Sequence, residues 1–331
     1  MAENNQIVVR AIPDGKLEET HFERRVSPVP VPAPGQVLVK NRLISQDAAN
    51  RAWMRGATYR QAVQAGDVMH AYTLGEVLES RDPPLAPGDL VLGEGGWQDF
   101  YVAPARKLMK MPRHEPVSHL FSLIGVAGKT AYHGLVGVGR PKAGETVVVS
   151  AAAGSVGIFV GQIAKALGCR AVGIAGGAEK CRWLVKELGF DAAVDYKAGR
   201  LREELAAACP KGIDVYFDNV GGKITEAVLF QMNPHGRIAC CGVVSQYDAK
   251  EAQSPAGLPG LLVVKRLRME GFIVMDFAQQ DAKAEEDLLR WAAEGKIKVV
   301  EDIIDGLENA PRGLIGLLAG ENRGKRMIRL Q

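Results

Sequence analysis

Long apolar runs are absent from this 331-residue chain: none approaches the roughly 18 uninterrupted apolar residues that a membrane-crossing helix needs. A surplus of either charge is absent too. The 41 Lys and Arg against 38 Asp and Glu leave a formal +3, which argues against nucleic acid or an anionic membrane as partner, because both call for a marked basic excess or stripe. The opening MAENNQ has neither the basic nor the apolar stretch of a secretory signal, so a soluble cytoplasmic protein is expected. Cysteine is scarce and one-sided. Cys169, Cys181, Cys209, Cys240 and Cys241 are all of it, and an odd number without a secretory signal favours free, buried thiols over a disulfide framework. No CxxC pair and no HExxH occurs, so no metal is expected.

What is present has two textures. The first 125 residues are broken by Pro and Gly, from SPVPVPAPGQ to RDPPLAPGDLVLGEGG, with short β-rich runs such as QVLVKNRLI between them. Frequent turns and short strands read as an all-β, barrel-like unit. From residue 126, apolar runs alternate with helical patterns. ETVVVS, RAVGIAG, DAAVDY, GIDVYFD, GRIACCG and MEGFIVMDF are the strand candidates, and Val156, Val160, Ile163 and Leu167 mark one helix face. The next helix carries Cys181, Leu184, Val185 and Leu188 at i, i+3, i+4, i+7. Repeated strand–crossover–strand units imply a parallel sheet covered on both faces. The fold class is therefore α/β: residues 126–300 form a doubly wound nucleotide-binding domain, and residues 1–125 with the tail 301–331, which holds a short helix and a strand, form the other domain.

The stretch VVVSAAAGSVG joins the first of these strands to its helix. In a dinucleotide fingerprint three small residues serve a tight turn, a close approach to the pyrophosphate and close helix–strand packing. They fall here on Ala152, Gly154 and Gly157. The helix N-terminus that opens at this point directs N–H groups and a positive dipole end at a phosphate. An NAD site wants an acid about 20 residues on, at the end of the second strand. This chain has Gly176 and Gly177 there, with Lys180 shortly after. No carboxylate repels a 2′-phosphate, and a compact cation is at hand, so the expected cofactor is NADP(H).

The segments AAAGSVGIFVGQIAKALGC, AGGAEKCRWL, ELGFDAAVDYK, CPKGIDVYFDNVGG, NPHGRIACCGVVSQYD, KRLRMEGFIV and ENAPRGLIGLLAGENRGK, in this order, resemble the zinc-independent medium-chain dehydrogenase/reductases. Within them they resemble the prostaglandin reductase, leukotriene B4 dehydrogenase and 2-alkenal (curcumin) reductase branch. The resemblance implies a GroES-like β-rich catalytic domain, completed by the C-terminal strand, plus a Rossmann domain. It also implies reduction of the C=C bond of an α,β-unsaturated ketone or aldehyde by hydride transfer from NADPH, without zinc, on a small apolar conjugated carbonyl. For the cofactor it implies Ala153, Gly154, Ser155, Val156 and Gly157 at the pyrophosphate. Gly177, Lys180 and Tyr196 fall at the adenosine phosphate end and Asn219 at the end of the fourth strand. Thr130, Cys241, Gly242, Val243, Ser245, Tyr247, Phe272, Ile273, Val274 and Asn322 line the nicotinamide half.

Tyr247 is the candidate acid or orienting group, with a structural role as its alternative. Arg51, Trp53, Met54, Tyr59, Met69, Tyr72 and Val264 are the candidate substrate wall, with core packing as theirs. The chain departs from the family at Ala49 and Val264, where several members carry tyrosine, while Asp47 and Arg51 are retained. A homodimer is implied by analogy, with GFIVMDF as an edge strand suited to it. Two other readings remain open: an NADPH:quinone oxidoreductase, and a non-catalytic NADPH-binding protein, which would bind NADPH without turnover.

Overall fold

The computed structural model describes residues 3–58, 60–249 and 257–331. The chain divides into two compact units. One runs to Ser118 and resumes with Glu301–Glu321 and Arg326–Gln331; the other is His119–Val300 with Asn322–Lys325. Among the described residues no helix is long and apolar enough to cross a membrane.

The first unit is β-rich. Its strands are β1 (Glu3–Val9), β2 (Phe22–Pro28), β3 (Gln36–Ser45), β4 (Thr73–Ser80), β5 (Leu90–Gly93), β6 (Phe100–Pro104) and β7 (Met109–Lys110). Helix α1 (Ala49–Arg55) lies between β3 and β4. β1 and β2 pair with each other, and the tail adds two more strands to the larger sheet. Its order is β14 (Glu301–Asp305), β15 (Lys325–Arg329), β3, β4, β5, β7, with β6 also on β3. β15 pairs antiparallel with β3, Ile328 opposite Ile44. Helix α9 (Ala310–Leu318) supplies Ala310 and Leu314 to the core formed with Trp53, Met69 and Trp97.

The second unit is built on a parallel sheet of β8 (Thr146–Ser150), β9 (Arg170–Ala175), β10 (Ala192–Asp195), β11 (Ile213–Asp218), β12 (Met232–Cys240) and β13 (Arg268–Gly271), in the order β10-β9-β8-β11-β12-β13. Val147, Val148 and Val149 are wholly buried, as the unbroken valine run demands of a strand covered on both faces. Helices α2 (Val126–Tyr132), α3 (Gly157–Ala166), α4 (Ala178–Leu188), α5 (Leu201–Ala208), α6 (Gly222–Leu229), α7 (Leu258–Lys265) and α8 (Asp281–Ala293) fill the crossovers and flanks.

Three expectations are corrected. α3 is buried almost all round, from Gly157 to Ala164, because α2 packs on its outer side. In α4, Cys181, Leu184 and Leu188 are buried but Val185 is exposed. The last strand ends at Gly271 instead of continuing through GFIVMDF, and Val274–Gln280 coils into a 3-10 helix. Its β-prone Ile and Val are overridden because the rings of Phe272 and Phe277 turn toward the helical side of the unit.

Candidate cofactor site

The order of the sheet reverses between β8 and β11, which places the crevice of a doubly wound fold outside the ends of those strands. The chain leaves β8 at Ser150 and enters a turn in which Ala151 takes φ +49° and Gly154 N–H donates to Ala151 O at 2.9 Å. Gly157 opens α3 there. A Cβ on it would lie 2.3 Å from Ala151 O and 2.7 Å from Ala152 Cα, both backbone atoms that cannot rotate aside, so the helix reaches this close to the turn only with glycine. Ala152, where the fingerprint has its first glycine, is accommodated by a glycine across the sheet: a Cβ on Gly173 would lie 2.8 Å from Ala152 Cβ. Ser155 Oγ is shielded from solvent and meets no hydrogen-bond partner among the described residues, a position that suits a hydroxyl meant for a ligand oxygen.

Two segments distant in sequence close on this turn. Gly324 N–H donates to Ala153 O at 2.9 Å, and Asn322 Nδ2 donates to Gly324 O at 2.9 Å. Lys180, in the first turn of α4, donates from Nζ to Asn322 O at 2.5 Å. Thus Ala153, Lys180 and Asn322, separate in the sequence, share one corner. Gly324 adopts φ +72°, and a Cβ on it would meet Val300 O at 2.0 Å. A carboxylate does stand beside Lys180, at Glu179. It pairs with Arg323, whose hydrogen bond holds the Glu179 carboxyl below its ordinary value.

At the end of β9 the residues cluster more tightly than the motif implied. β10 lies parallel to β9 with Asp195 opposite Ala175, so the chain leaving β10 passes beside the chain leaving β9. A Cβ on Gly176 would lie 3.0 Å from Lys197 Cε and 3.1 Å from the Tyr196 hydroxyl. Asp195 is spent on backbone, accepting from Gly177 N–H at 2.8 Å and Lys197 N–H at 2.9 Å. Lys197 is thus a cation at the end of β9 that sequence reasoning missed. Its signal was its place directly after Tyr196.

The other half of the crevice is organised by Asp218, also missed. Its Oδ1 accepts from Tyr216 Oη, Val220 N–H and Gly221 N–H, each at 2.9 Å, and its Oδ2 accepts from Thr225 Oγ1. Asn219 bridges to β8: its N–H donates to Ser150 Oγ at 2.9 Å and its Nδ2 to Ser150 O at 2.8 Å. The segment from Cys241 to Tyr247 is laid along residues 218–220 by backbone bonds from Cys241 and Gly242 to Asp218 O, from Val244 to Asn219 O and from Ser245 to Val220 O. Val243 is exposed. The Tyr247 hydroxyl lies 3.7 Å from where a Gly242 Cβ would be. Phe272 covers Gly134, whose added Cβ would fall 2.3 Å from the ring. Ile273 is extended, Val274 begins the 3-10 helix, and Thr130 is buried in α2.

The expected substrate wall is different. Trp53, Met54 and Met69 are at most 2% exposed and belong to the core of the first unit, so the structure gives them packing work. Arg51 is buried, with Nη2 donating to Gly15 O at 2.6 Å. Tyr72 is half-buried at the edge of this core, its ring edge-on to Trp53. Val264 is exposed on α7, and Tyr59 lies outside the described residues.

No group of three or more His, Cys, Asp or Glu that could hold a metal occurs among the described residues. Burial pushes the thiols of Cys169, Cys181 and Cys209 up to about 11 and those of Cys240 and Cys241 to about 12.

Comparison with known proteins agrees with this geometry. Residues 5–111 match a family described as the N-terminal domain of oxidoreductase, and residues 155–294 one described as zinc-binding dehydrogenase. The chain is 43% identical to the NADPH-dependent curcumin reductase of Escherichia coli (strain K12), over 99% of this chain and 97% of that protein. It is 40% identical to the 2-alkenal reductase (NADP(+)-dependent) of Nicotiana tabacum, over 98% of this chain and 97% of that one. The crystal structure of CurA from Vibrio vulnificus in complex with NADPH superposes with a TM-score of 0.94 at 39% identity, covering 99% of both chains. A small-residue turn opening a helix on a doubly wound sheet, a β-rich unit in the same chain, and this likeness along the whole length lead to one conclusion: the chain belongs to the medium-chain dehydrogenase/reductase family, in its curcumin, 2-alkenal and prostaglandin reductase branch.

Proposed function

We propose that this protein is an NADPH-dependent reductase of the C=C bond of α,β-unsaturated ketones or aldehydes. The observation that carries the cofactor half is the corner at the end of β9. There Gly176 and Gly177 stand in place of an acid, Lys197 and the Tyr196 hydroxyl close on Gly176, Lys180 lies in the first turn of the helix that follows, and the carboxylates of Asp195 and Glu179 are held by backbone N–H groups and by Arg323. A 2′-phosphate fits such a corner and a ribose diol has no acid to bind. The residues of the turn fit the pyrophosphate: Gly154 and Gly157 allow close approach, and the unpartnered Ser155 hydroxyl supplies a donor. Asn219, the 241–247 segment, Phe272–Val274, Thr130 and Asn322 hold the nicotinamide half.

When bound, NADPH supplies a hydride to the β-carbon of the alkene. The chain's own part is to hold the cofactor and substrate in register, to exclude water and to place a proton donor. Tyr247 is that donor or the group that orients it. The reaction is read as zinc-independent from the sequence, which offers no CxxC pair and no HExxH. A homodimer in the cytoplasm completes the proposal; β13 leaves the edge of its sheet exposed at Met269, Glu270 and Gly271.

The test is NADPH and NADH oxidation measured in parallel with an enone and alkenal series and a quinone series. The proposal expects NADPH-dependent turnover of the conjugated carbonyls, with Tyr247→Phe lowering kcat on the best of them. Preference for quinones, or NADPH binding with no turnover at all, would overturn it.

A further inference from the structure

β13 pairs with β12 only as far as Gly271, opposite Cys240. From there to Gln280 the chain runs outside the sheet, and no residue of Val274–Gln280 is buried. Its first residues are those assigned to the nicotinamide, and beyond the bond from Phe272 N–H to Cys240 O at 3.4 Å side-chain contacts hold them. The holding groups come from α2 and the π-helical stretch His133–Gly139 that continues it. Phe272 rests on Gly134 and meets Phe277 edge-on at 6.2 Å; Phe277 in turn stacks on the His133 ring at 4.9 Å and 13°. Asp281, the first residue of α8, ends the segment. Its Oδ1 lies 2.9 Å from His133 Nε2, and its Oδ2 accepts from Lys129 Nζ at 2.9 Å. Lys129 also reaches Glu285 at 2.6 Å. The imidazole is 2% exposed and Lys129 is half-buried, so these contacts are shielded from bulk water.

Thr130 lies between Lys129 and His133 on the same helical run. Through His133, which stacks on Phe277, and through Lys129, the Asp281 carboxylate therefore connects the segment after β13 to the turn of α2 that carries Thr130. We propose that Asp281, with His133 and Lys129, is a positioning unit that sets the Phe272–Val274 backbone for the nicotinamide. None of the three touches the reacting atoms in this proposal. It rests on the cofactor placement given above.

The control is built into the same helix contact. Tyr132 Oη donates to Asp287 at 2.8 Å, joining α2 to α8 without touching residues 272–280. Asp281→Ala, Asp281→Asn and Tyr132→Phe are compared by hydrogen exchange of the NADPH-free protein, thermal midpoint and single-turnover oxidation of NADPH by an enone. Asp281→Ala is expected to speed exchange across residues 272–280 and to slow single turnover about tenfold or more at saturating NADPH, since small misplacements of reacting groups are costly. Asp281→Asn, which keeps one acceptor oxygen, restores part of both and serves in its place should the alanine variant not fold. Tyr132→Phe lowers the midpoint while exchange at 272–280 and turnover stay within about twofold of the parent. If Asp281 variants lose midpoint but leave exchange at 272–280 and turnover as in Tyr132→Phe, the side chain merely stabilises the fold and the inference fails. If the parent itself turns over no conjugated carbonyl, the proposed function fails, whereas the exchange result still decides whether Asp281 holds the segment.

Discussion

Replacing Lys180 by alanine separates the tie to Asn322 from the phosphate contact proposed for the same side chain. Its Nζ donates to Asn322 O at 2.5 Å, which ties the 322–325 segment to α4, and it stands at the corner proposed for the 2′-phosphate. An ammonium has three donors, so the bond to Asn322 does not preclude a phosphate oxygen. A hydrogen bond to a charged group is worth about 1.5–3 kcal/mol, and tenfold in kcat/KM corresponds to about 1.4 kcal/mol. Losing the phosphate contact therefore predicts a fall of roughly 10- to 150-fold in kcat/KM for NADPH. Losing the Asn322 tie acts on NADPH and NADH alike, and it is cushioned because Gly324 still donates to Ala153 and Arg323 still pairs with Glu179. The quantity to measure is the ratio of kcat/KM for the two cofactors in the parent and in Lys180→Ala, at fixed ionic strength because the phosphate contact is screened by salt. The reasoning predicts that NADPH loses at least tenfold more than NADH. An equal loss with both cofactors would refute it and leave Lys180 as a strap for the 322–325 segment.

Gly157→Ala places a methyl group 2.3 Å from Ala151 O, and overpacking against backbone costs about 1–3 kcal/mol or more. At about 2–4 °C per kcal/mol for a unit of this size, the midpoint should fall by several degrees and lose its upward shift with NADPH, as a thermal melt with and without cofactor would read. Glu145 tests the acid limb of stability. Burial works to raise its pKa, but hydrogen bonds from Arg237 and the Lys142 N–H prevail and hold it below the ordinary 4.5. A depressed carboxyl contributes fully above its unfolded pKa and loses that contribution as pH falls through the folded one. Glu145→Gln should then cost about 1–2 kcal/mol at neutral pH, and its midpoint should converge on the parent's well below about pH 4.5; a gap that persists in acid contradicts the assignment.

Most of the second unit was legible because its signals are local. A valine run before a small-residue turn, and apolar runs spaced by helical patterns, require a covered parallel sheet regardless of the distant chain, and β8–β13 appear at the expected runs. Where reading failed, contacts distant in sequence decided. GFIVMDF has the residues of a strand, but Phe272 and Phe277 spend their rings on Gly134 and His133, and nothing in the local pattern announces that. Trp53, Met54 and Met69 look equally suited to a pocket wall or a core, and they are buried in a cluster that α9 and β15 join from the far end of the chain.

The site divides in the same way. From its order alone the chain determined a small-residue turn opening a helix, the missing acid after the second strand and the cation just beyond it, because each depends on neighbours within a few positions. Only the tertiary structure decided that Lys197 comes to rest beside Gly176, that Asn322 and Gly324 close on the turn, and that Asp281 reaches His133 and Lys129. The last two depend on strand order and crossover geometry, which bring residues more than a hundred positions apart to within hydrogen-bond length, and periodicity carries no record of such distances.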